Sequence, residues 1–495
     1  MNLARYCLIN ANPNPAKTAL EVVGARGERL ETWTYGDLTR SVLAVAAGFK
    51  AEGLNPGDRV LLRIGHSSDF PLLFFGAIAA GLVPVPTSAL LTSLETNTIL
   101  ADCGAALVIH DGKTSLPDTG AARFFGPKEI EKLKQAAPGD FAETHADDPA
   151  FLIYTSGTSG TPKGVLHAQR SAAARAPMYQ GWYGISAEDR LLHAGAFNWT
   201  YTLGVGLMDP WANGATSVVY DGPRDPHVWP EILETSKATL FAAVPSLYRR
   251  ILKYGEITQN SFRNLRHGLT AGEALQAALY HDWKERSGRE LYEALGMSEI
   301  STYLSSSPGV PVKPGSPGRP QPGRKVAILD EGSEVAQPAT ADTPGLLAVH
   351  RDEPGLMLGY WNRPVDTSAA FLGDWFLTGD RAREDADGYY WYEGRADDLM
   401  NAFGYRVAPE EVERALAAHP SVSEVAVTAV PAGSGVELIT AFVVPAAPDS
   451  FSEDELAAFA VERLADYKRP KVYRPVAELP RTPSGKVQRK ALSKT

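Results

Sequence analysis

The stretch YTSGTSGTPKGV, Tyr154 to Val165, decides how the rest of this 495-residue chain is interpreted. It packs glycines, Ser and Thr hydroxyls and one lysine into a single short turn, which is the composition of a phosphate-binding loop. The Walker pattern requires Gly-Lys followed directly by Ser or Thr at the start of a helix, whereas this turn ends Pro162-Lys163-Gly164. The turn therefore predicts phosphate chemistry of another kind.

The residues on either side of the turn indicate its setting. The apolar run FLIY before it predicts a strand, and GVLH after it predicts a second strand rather than a helix. A strand–loop–strand unit rich in glycine lets backbone N–H groups and hydroxyls converge on phosphate oxygens, and Lys163 would add a point charge. Because no helix N-terminus follows, we expect a mobile clamp. A merely flexible surface turn would not need this composition.

Composition limits the class of protein. With 44% hydrophobic and 21% charged residues over 495 positions, the chain is typical of a soluble protein of two or more domains. A net charge of −10 would repel the phosphates of nucleic acid or of an anionic membrane, so neither is an expected partner. The N-terminus lacks the apolar core of a secretion signal, and Cys7 and Cys103 have no metal-ligand spacing. We expect a cytoplasmic protein with two structural thiols.

One uncharged stretch, Phe70 to Leu94, needs a separate decision because it could be mistaken for a membrane span. Its helix-like part is short, and Gly81, Pro84 and Pro86 interrupt it, so it falls below the roughly 20 apolar residues that a bilayer requires. We interpret it as a buried helix followed by a strand.

The order of segments predicts the architecture. Over about the first 390 residues, apolar β-rich runs alternate with helical stretches, which favours α/β layers with largely parallel sheets. Residues 355–391 change to Gly- and Asp-rich turns between short aromatic strands, and a compact helix–strand–strand–helix unit with a basic tail follows. We predict a large N-terminal multi-layer α/β domain at 1–394, a hinge at 395–398 and a small, mobile α+β C-terminal domain at 399–495.

Five motifs together resemble those of the adenylate-forming (AMP-binding) superfamily, which includes acyl-CoA and aryl-CoA synthetases, luciferases and peptide-synthetase adenylation domains. They lie in the family's order and span most of the chain: YTSGTSGTPKG at 154–164, LGMSE at 295–299, LTGD at 377–380, GRADD at 394–398 and PRTPSGKVQR at 480–489. The resemblance implies a reaction in two halves. A carboxylate first attacks the α-phosphorus of ATP to give an acyl-adenylate and pyrophosphate, and a thiol, usually that of coenzyme A, then displaces AMP.

The resemblance also implies which residues act. Glu299 would bind Mg²⁺, Ser298 would contact the α-phosphate, and Lys486 would bridge the carboxylate and α-phosphate during adenylation, which makes these three the predicted catalytic residues. Asp380 would accept hydrogen bonds from the ribose hydroxyls, with Arg395 as a complementary donor. The full set predicted to bind ATP or AMP is Thr155, Ser156, Gly157, Thr158, Ser159, Gly160, Thr161, Lys163, Gly272, Glu273, Asp380 and Arg395.

The second half-reaction implies movement of the small domain. Asp397 matches the family's hinge residue, about which rotation would withdraw Lys486 and present the face that carries Gly404, Tyr405 and Arg406 to coenzyme A. Exposure of Lys486 in the rotated state also suggests a lysine acetyltransferase and deacetylase as partners, because acetylation would remove its charge.

The acid substrate is less well defined by the sequence. The segment AGAFNWTYTLG and the residues after Leu295 should line its pocket, and Asn198 and Trp199 replace the Phe-His pair of many relatives. The segment is more similar to the benzoate-CoA ligase branch, and its aromatic side chains favour a flat or compact acid. The predicted pocket residues are Ala196, Asn198, Trp199, Tyr201, Gly296, Met297 and Tyr303.

Several alternatives stay open at this point. The acid could be a short- or medium-chain fatty acid, and the thiol could belong to a carrier protein instead of free coenzyme A. A luciferase-like oxygenase shares every motif. A non-catalytic nucleotide-binding regulator is disfavoured, because Lys163, Glu299, Asp380, Arg395 and Lys486 are all present.

Overall fold

The computed structural model describes residues 1–117, 122–155, 162–223, 225–258, 260–331, 333–396, 400–402, 405–433, 436–447, 450–481 and 487–493. Its helices are α1 (Leu3–Ile9), α2 (Tyr35–Ala51), α3 (Asp69–Ala79), α4 (Ser93–Cys103), α5 (Pro127–Lys134), α6 (Ala176–Met178), α7 (Thr200–Leu203), α8 (Asp209–Ala212), α9 (Trp229–Thr235), α10 (Pro245–Tyr254), α11 (Ala277–Ser287), α12 (Pro364–Ala369), α13 (Pro409–Ala417), α14 (Glu453–Arg463) and α15 (Arg489–Leu492).

The strands are β1 (Thr18–Val23), β2 (Arg29–Thr34), β3 (Arg59–Arg63), β4 (Val83–Pro86), β5 (Leu107–His110), β6 (Arg123–Phe125), β7 (Pro149–Thr155), β8 (Lys163–Ala168), β9 (Arg190–His193), β10 (Thr216–Tyr220), β11 (Leu240–Ala243), β12 (His267–Ala271), β13 (Glu290–Met297), β14 (Ser301–Ser305), β15 (Arg319–Pro320), β16 (Val326–Leu329), β17 (Gly345–His350), β18 (Gly359–Tyr360), β19 (Phe371–Leu372), β20 (Trp375–Glu384), β21 (Tyr390–Arg395), β22 (Met400–Ala402), β23 (Tyr405–Val407), β24 (Val422–Pro431), β25 (Glu437–Pro445) and β26 (Val472–Pro475).

A nine-stranded sheet in the order β15-β14-β13-β12-β11-β9-β10-β1-β2 forms the centre of the large domain. The six strands from β13 to β1 in this order run parallel, and the strands at both edges are antiparallel. Strands β10, β11 and β12 are buried along their whole length, as is typical of parallel strands that are covered on both faces. All the carboxyl ends of the parallel strands open at one edge, the edge where α/β proteins bind ligands.

A second, fully parallel sheet in the order β4-β3-β5-β6 packs with α2 and α3 into one continuous core. Every residue of α3 from Phe70 to Ala79 is buried, which accounts for the uncharged stretch in the sequence, and β4 follows it. The interpretation as a buried helix and strand agrees with the structure. No helix in the described ranges has the length and hydropathy that a membrane span requires.

Antiparallel strands form two further sheets of the large domain, which together are its antiparallel part. Strands β16, β17, β20 and β19 form a sheet to which β21 adds, and β7, β8 and β18 form a three-stranded sheet. Strands β7 and β8 directly flank the Ser/Thr/Gly turn, as predicted. The largely parallel pairing expected for the first 390 residues is therefore interrupted at β1–β2 and β7–β8 and is replaced by antiparallel pairing after β13.

The small domain has its own core. Strands β24, β25 and β26 form its sheet, β22 and β23 form a hairpin (the 400–407 hairpin, residues 400–402 and 405–407), and α13 and α14 contribute apolar faces to the same cluster. The mixed α/β fold with a large first and a small second domain is confirmed. The boundaries at 394 and 399 stay predictions.

Candidate active site

A cavity of about 1590 Å³ lies where the carboxyl ends of β11, β12 and β13 face the small domain. Both domains contribute to its wall, which brings together predicted site residues that are far apart in sequence. Those that line it are Thr155, Lys163, Asn198, Trp199, Tyr201, Gly272, Glu273, Gly296, Met297, Ser298, Glu299, Asp380 and Tyr405.

Two residues predicted for the acyl pocket do not line this cavity. Tyr303 is fully buried in the core of the antiparallel part, packed in one cluster with Ile300 and Val349. Ala196 is in the loop after β9, where its carbonyl accepts the N–H of Trp199 at 3.2 Å. The remaining predictions lie outside the described residues: Ser156, Gly157, Thr158, Ser159, Gly160, Thr161, Asp397, Gly404, Lys486 and the side chains of Arg395 and Arg406.

Glu299 sits in the tight connection between β13 and β14. Its Oε1 accepts the Tyr360 hydroxyl at 2.9 Å, while its Oε2 is buried and has no hydrogen-bond partner among the residues that the structure describes. A buried carboxylate oxygen without a partner is costly, and a cation or a donor from a bound ligand would satisfy it. No cluster of three or more His, Cys, Asp or Glu side chains that could hold a metal occurs in the described ranges.

Lys163 begins β8 beside the same tyrosine. Its Nζ lies 5.2 Å from the centre of the Tyr360 ring and 3.4 Å from Oδ2 of Asp366. The Asp366 side chain is partly exposed, so this ion pair is weak and leaves the ammonium available to a phosphate. Tyr360 therefore contacts both residues, Lys163 through its ring and Glu299 through its hydroxyl.

Gly272 and Glu273 follow β12. Gly272 has φ +88°, and a Cβ there would lie 2.7 Å from the Trp199 indole, so the backbone and the indole meet closely. The Glu273 carboxylate accepts the N–H and the hydroxyl of Ser246, each at 2.9 Å, and burial raises its pKa. The carbonyl of Gly272 accepts the Asn401 amide of the small domain at 2.9 Å.

Asp380 lies on β20 at the cavity wall and is only 2% exposed. Its backbone N–H donates to the Thr378 hydroxyl at 3.1 Å, and it faces Arg395 across the β20–β21 ladder. A buried carboxylate at the cavity wall offers acceptors to a polyhydroxylated ligand such as a ribose.

Aromatic rings form one end of the cavity. Trp199 and Tyr201 meet edge to face with centroids 5.2 Å apart, and Tyr201 stacks on Trp182 at 6.0 Å. His193 packs against Tyr201 at 4.5 Å, and burial lowers its pKa to about 3, so it is neutral. Its Nδ1 accepts the Gly195 N–H at 2.8 Å.

Several residues at or next to the cavity were not predicted from the sequence. Glu293 on β13 lines it, and burial raises its pKa to about 8. Arg175 lines it too and is held by both oxygens of buried Asp209 at 2.8 and 2.7 Å, while it also contacts the hydroxyl of Ser301. The sequence signal that could have identified Glu293 as a site residue is a charged residue within an otherwise apolar strand.

Comparisons with known proteins follow the same two-domain division. The family model described as AMP-binding enzyme matches residues 9–361, and the AMP-binding enzyme C-terminal domain matches residues 411–486. The chain is 32% identical to 3-hydroxybenzoate–CoA ligase from Aromatoleum sp. (strain CIB), over 92% of this chain and 90% of that protein.

Solved structures agree along the whole chain. A benzoate CoA ligase from Burkholderia xenovorans LB400 is 29% identical and superposes with a TM-score of 0.73, with 100% of both chains covered. A double mutant of o-succinylbenzoate CoA synthetase from Bacillus subtilis, bound with its product analogue, is 25% identical but superposes with a TM-score of 0.86, covering 99% of this chain and 98% of that one.

Proposed function

Because the chain belongs to the AMP-binding enzyme family and is an AMP-forming ligase of a carboxylic acid with coenzyme A, we propose that its acid is a small aromatic carboxylate of the benzoate type. Two curated relatives more than 30% identical over more than 90% of the chain are ligases of 3-hydroxybenzoate and of benzoate. The acids of these relatives support an aromatic substrate class, and the individual acid is to be identified by experiment.

The observation that carries this proposal is the aromatic end of the cavity. Trp199 and Tyr201 are perpendicular within 5.2 Å, and Tyr201 is backed by Trp182, so the pocket ends in ring faces and edges. Such a wall accepts a flat ring by edge-to-face contact and leaves little depth for a long alkyl chain. Ala271 and Ala294 line the same region and leave space for a substituent of moderate size.

For the adenylation step, the cavity wall supplies charge and acceptors. Asp380 would accept hydrogen bonds from the ribose hydroxyls, and Lys163 would contact phosphate oxygens. The adenine would lie against the backbone at Gly272. The buried Oε2 of Glu299, with which no residue of the described ranges pairs, fits a Mg²⁺ ion that would also bind phosphate oxygens, since Mg²⁺ uses only one or two carboxylates in such sites. Bound there, the ion would neutralise charge on the phosphates as the acid attacks.

For the thioester step, the small domain presents the 400–407 hairpin. Asn401 reaches Gly272, and Tyr405 stacks on Trp199 with centroids 5.8 Å apart, so this hairpin closes the cavity beside the proposed acyl pocket. The better superposition on the structure bound with a CoA product analogue, in spite of lower sequence identity, supports assignment of this arrangement to the thioester-forming state.

The test is ATP–pyrophosphate exchange with a panel of acids, each repeated with coenzyme A to follow thioester release. The panel contains benzoate, 3-hydroxybenzoate, hexanoate, octanoate and malonate. We expect the two aromatic acids to give the highest kcat/KM, by at least about tenfold, because ring contacts in a closed apolar pocket discriminate by 1–3 kcal/mol.

Each other outcome has a defined meaning. Preference for hexanoate or octanoate would replace the aromatic proposal with a medium-chain acid. Exchange without thioester formation from coenzyme A, but with transfer to a phosphopantetheinyl carrier protein, would identify a carrier-loading enzyme. Nucleotide binding with no exchange for any acid would point to a regulator.

A further inference from the structure

An ion cluster whose three residues do not line the cavity joins the two domains. Lys468 lies on the short helical turn Asp466–Lys468 after α14, and its side chain is 5% exposed. Its Nζ is 2.9 Å from Oε1 of Glu95 in the large domain and 2.6 Å from Oε1 of Glu411 in the small domain. One buried ammonium therefore holds a carboxylate from each side of the domain boundary.

Glu95 is prepared for this contact by its own helix. It is the third residue of α4, and its Oε2 accepts both the N–H and the hydroxyl of Thr92 at 2.9 Å in a capping box. The helix cap fixes the side chain with Oε1 directed at Lys468. The large domain thus offers a preorganised acceptor that costs little rotamer entropy on contact.

Glu411 connects the same lysine to the active-site hairpin. It belongs to the first turn of α13, which follows β23 directly. The neighbour of the lysine, Tyr467, stacks on Tyr405 of that hairpin at 4.1 Å, and Tyr405 stacks in turn on Trp199 of the acyl pocket. Two consecutive residues of one turn therefore hold the hairpin. Lys468 does so through its ion pair with Glu411, and Tyr467 does so through its stack on Tyr405.

The two halves of the cluster respond differently to domain rotation. The Lys468–Glu411 pair lies inside the small domain and would move with it, whereas the Lys468–Glu95 pair crosses the boundary and would break. Burial alone would lower the pKa of Lys468, but Tyr467 and the two carboxylates raise it, so the lysine stays charged. A buried charge pair that exists in one of two states biases the equilibrium between them.

We propose that Lys468 is a positioning residue for the thioester-forming half-reaction, which acts by bridging Glu95 and Glu411 so that the 400–407 hairpin is held against the acyl pocket. The inference rests on the proposed function, because it assigns the described arrangement to the second half-reaction. Lys468 touches neither the acid nor the nucleotide in this assignment. It acts through Tyr405 and the hairpin.

The test separates the half-reactions in the full-length enzyme. Glu95→Gln removes the negative charge that pairs with Lys468 across the domain boundary. The Gln side chain still has an oxygen that can accept the hydrogen bonds of the α4 cap, since Gln also serves in a capping box. We expect ATP–pyrophosphate exchange to stay within about twofold of wild type, while single-turnover thioester formation from preformed acyl-adenylate and coenzyme A slows by about tenfold.

Glu411→Gln is the matched control, because it neutralises the other partner of the same lysine and leaves the boundary-crossing pair intact. It should slow thioester formation less than Glu95→Gln does. Lys468→Met combined with Glu95→Gln should be no slower than Lys468→Met alone, since the contact is already lost. Melting temperatures of all variants check folding.

The results that would overturn the proposal are specific. Equal loss of both half-reactions in Glu95→Gln, no loss in either, or additive effects in the double variant would each remove the positioning role. Failure of the proposed function is distinguishable, because it appears in wild type itself, as preference for a non-aromatic acid, transfer to a carrier protein or no acid-dependent exchange. Failure of the positioning role appears only in the ratio of variant to wild-type rates.

Discussion

The indole of Trp199 in the large domain stacks on the ring of Tyr405 in the small domain, with centroids 5.8 Å apart and planes inclined by 21°. The same indole meets Tyr201 edge to face and lies against Gly272. One side chain therefore contacts Tyr201 in the proposed acyl pocket, Gly272 on the proposed nucleotide side and the 400–407 hairpin. Its size should affect both the choice of acid and the closure of the small domain.

Replacement of Trp199 by Ala should widen the acyl pocket. We expect kcat/KM for benzoate to fall by about tenfold and that for a larger flat acid such as naphthoate to rise, because the lost ring contacts are replaced by space. Trp375→Ala, on β20 away from the cavity, is the control for loss of an indole. Unchanged relative rates for the two acids would show that Trp199 does not bound the pocket.

Glu299→Gln should lower ATP–pyrophosphate exchange by about a hundredfold, because the developing phosphate charge loses its cation site. Tyr360→Phe removes only the donor to Oε1 of Glu299 and should have a smaller effect, about fivefold to tenfold. Titration with Mg²⁺ is the decisive measurement, since both variants should need more of the ion for half-maximal exchange. An unchanged Mg²⁺ requirement in Glu299→Gln would contradict the metal assignment.

Glu293→Gln should change how stability depends on pH. Burial raises the pKa of Glu293 to about 8 from its ordinary 4.5, so the folded protein holds a proton that the unfolded chain releases. Stability is therefore complete below pH 4.5 and falls as the pH rises toward 8. Gln cannot ionise and keeps an oxygen for the Leu275 N–H, so the variant should match wild type near pH 4.5 and gain about 3 kcal/mol at pH 7.

Thermal melting across this pH range measures the effect, which corresponds to a shift of about 3 °C for a chain of this size. The control is Glu290→Gln on the same strand. Burial raises the pKa of Glu290, but hydrogen bonds from Lys284 and Tyr280 outweigh it and lower that pKa overall. This control should therefore lose stability above pH 4.5, and a gain in both variants would rule out the burial argument.

The sequence predicted the local features of the site well, because they depend on short-range patterns. The strands on both sides of the Ser/Thr/Gly turn, the buried helix α3 and the order of elements in the small domain all follow from hydrophobic periodicity and turn residues. Trp199, Glu299 and Asp380 line the cavity, while the roles that their motifs assign to them stay predictions.

The features that the sequence did not predict depend on long-range packing. Lys468 and Glu95 are 373 positions apart, and nothing local in either segment signals the other. Tyr303 was expected in the pocket because it is near Glu299, but it packs into the core of the antiparallel part. Proximity in sequence to a functional residue does not determine which way a side chain points once a strand has begun.

Lys486 stays a prediction of the sequence, and its variant should have the opposite effect to Glu95→Gln. Lys486→Ala should abolish pyrophosphate release because the carboxylate and α-phosphate lose a shared cation in the transition state, while thioester formation from preformed acyl-adenylate continues. Acetylation of the same lysine should give the same result, because it also removes the charge. Lys237→Ala, an exposed lysine of the large domain, controls for loss of surface charge.

Lys486→Ala and Glu95→Gln together test whether the small domain uses different residues for the two half-reactions. If Lys486 serves only adenylation and the Glu95–Lys468 contact serves only thioester formation, each variant loses one half-reaction and keeps the other. A mixture of the two variants should be slow overall, because acyl-adenylate made by one protein must first dissociate into solution to reach the other. In wild type the reactive anhydride stays in one cavity through both half-reactions. Equal impairment of both half-reactions by Lys486→Ala would show that this lysine acts on folding or nucleotide binding instead.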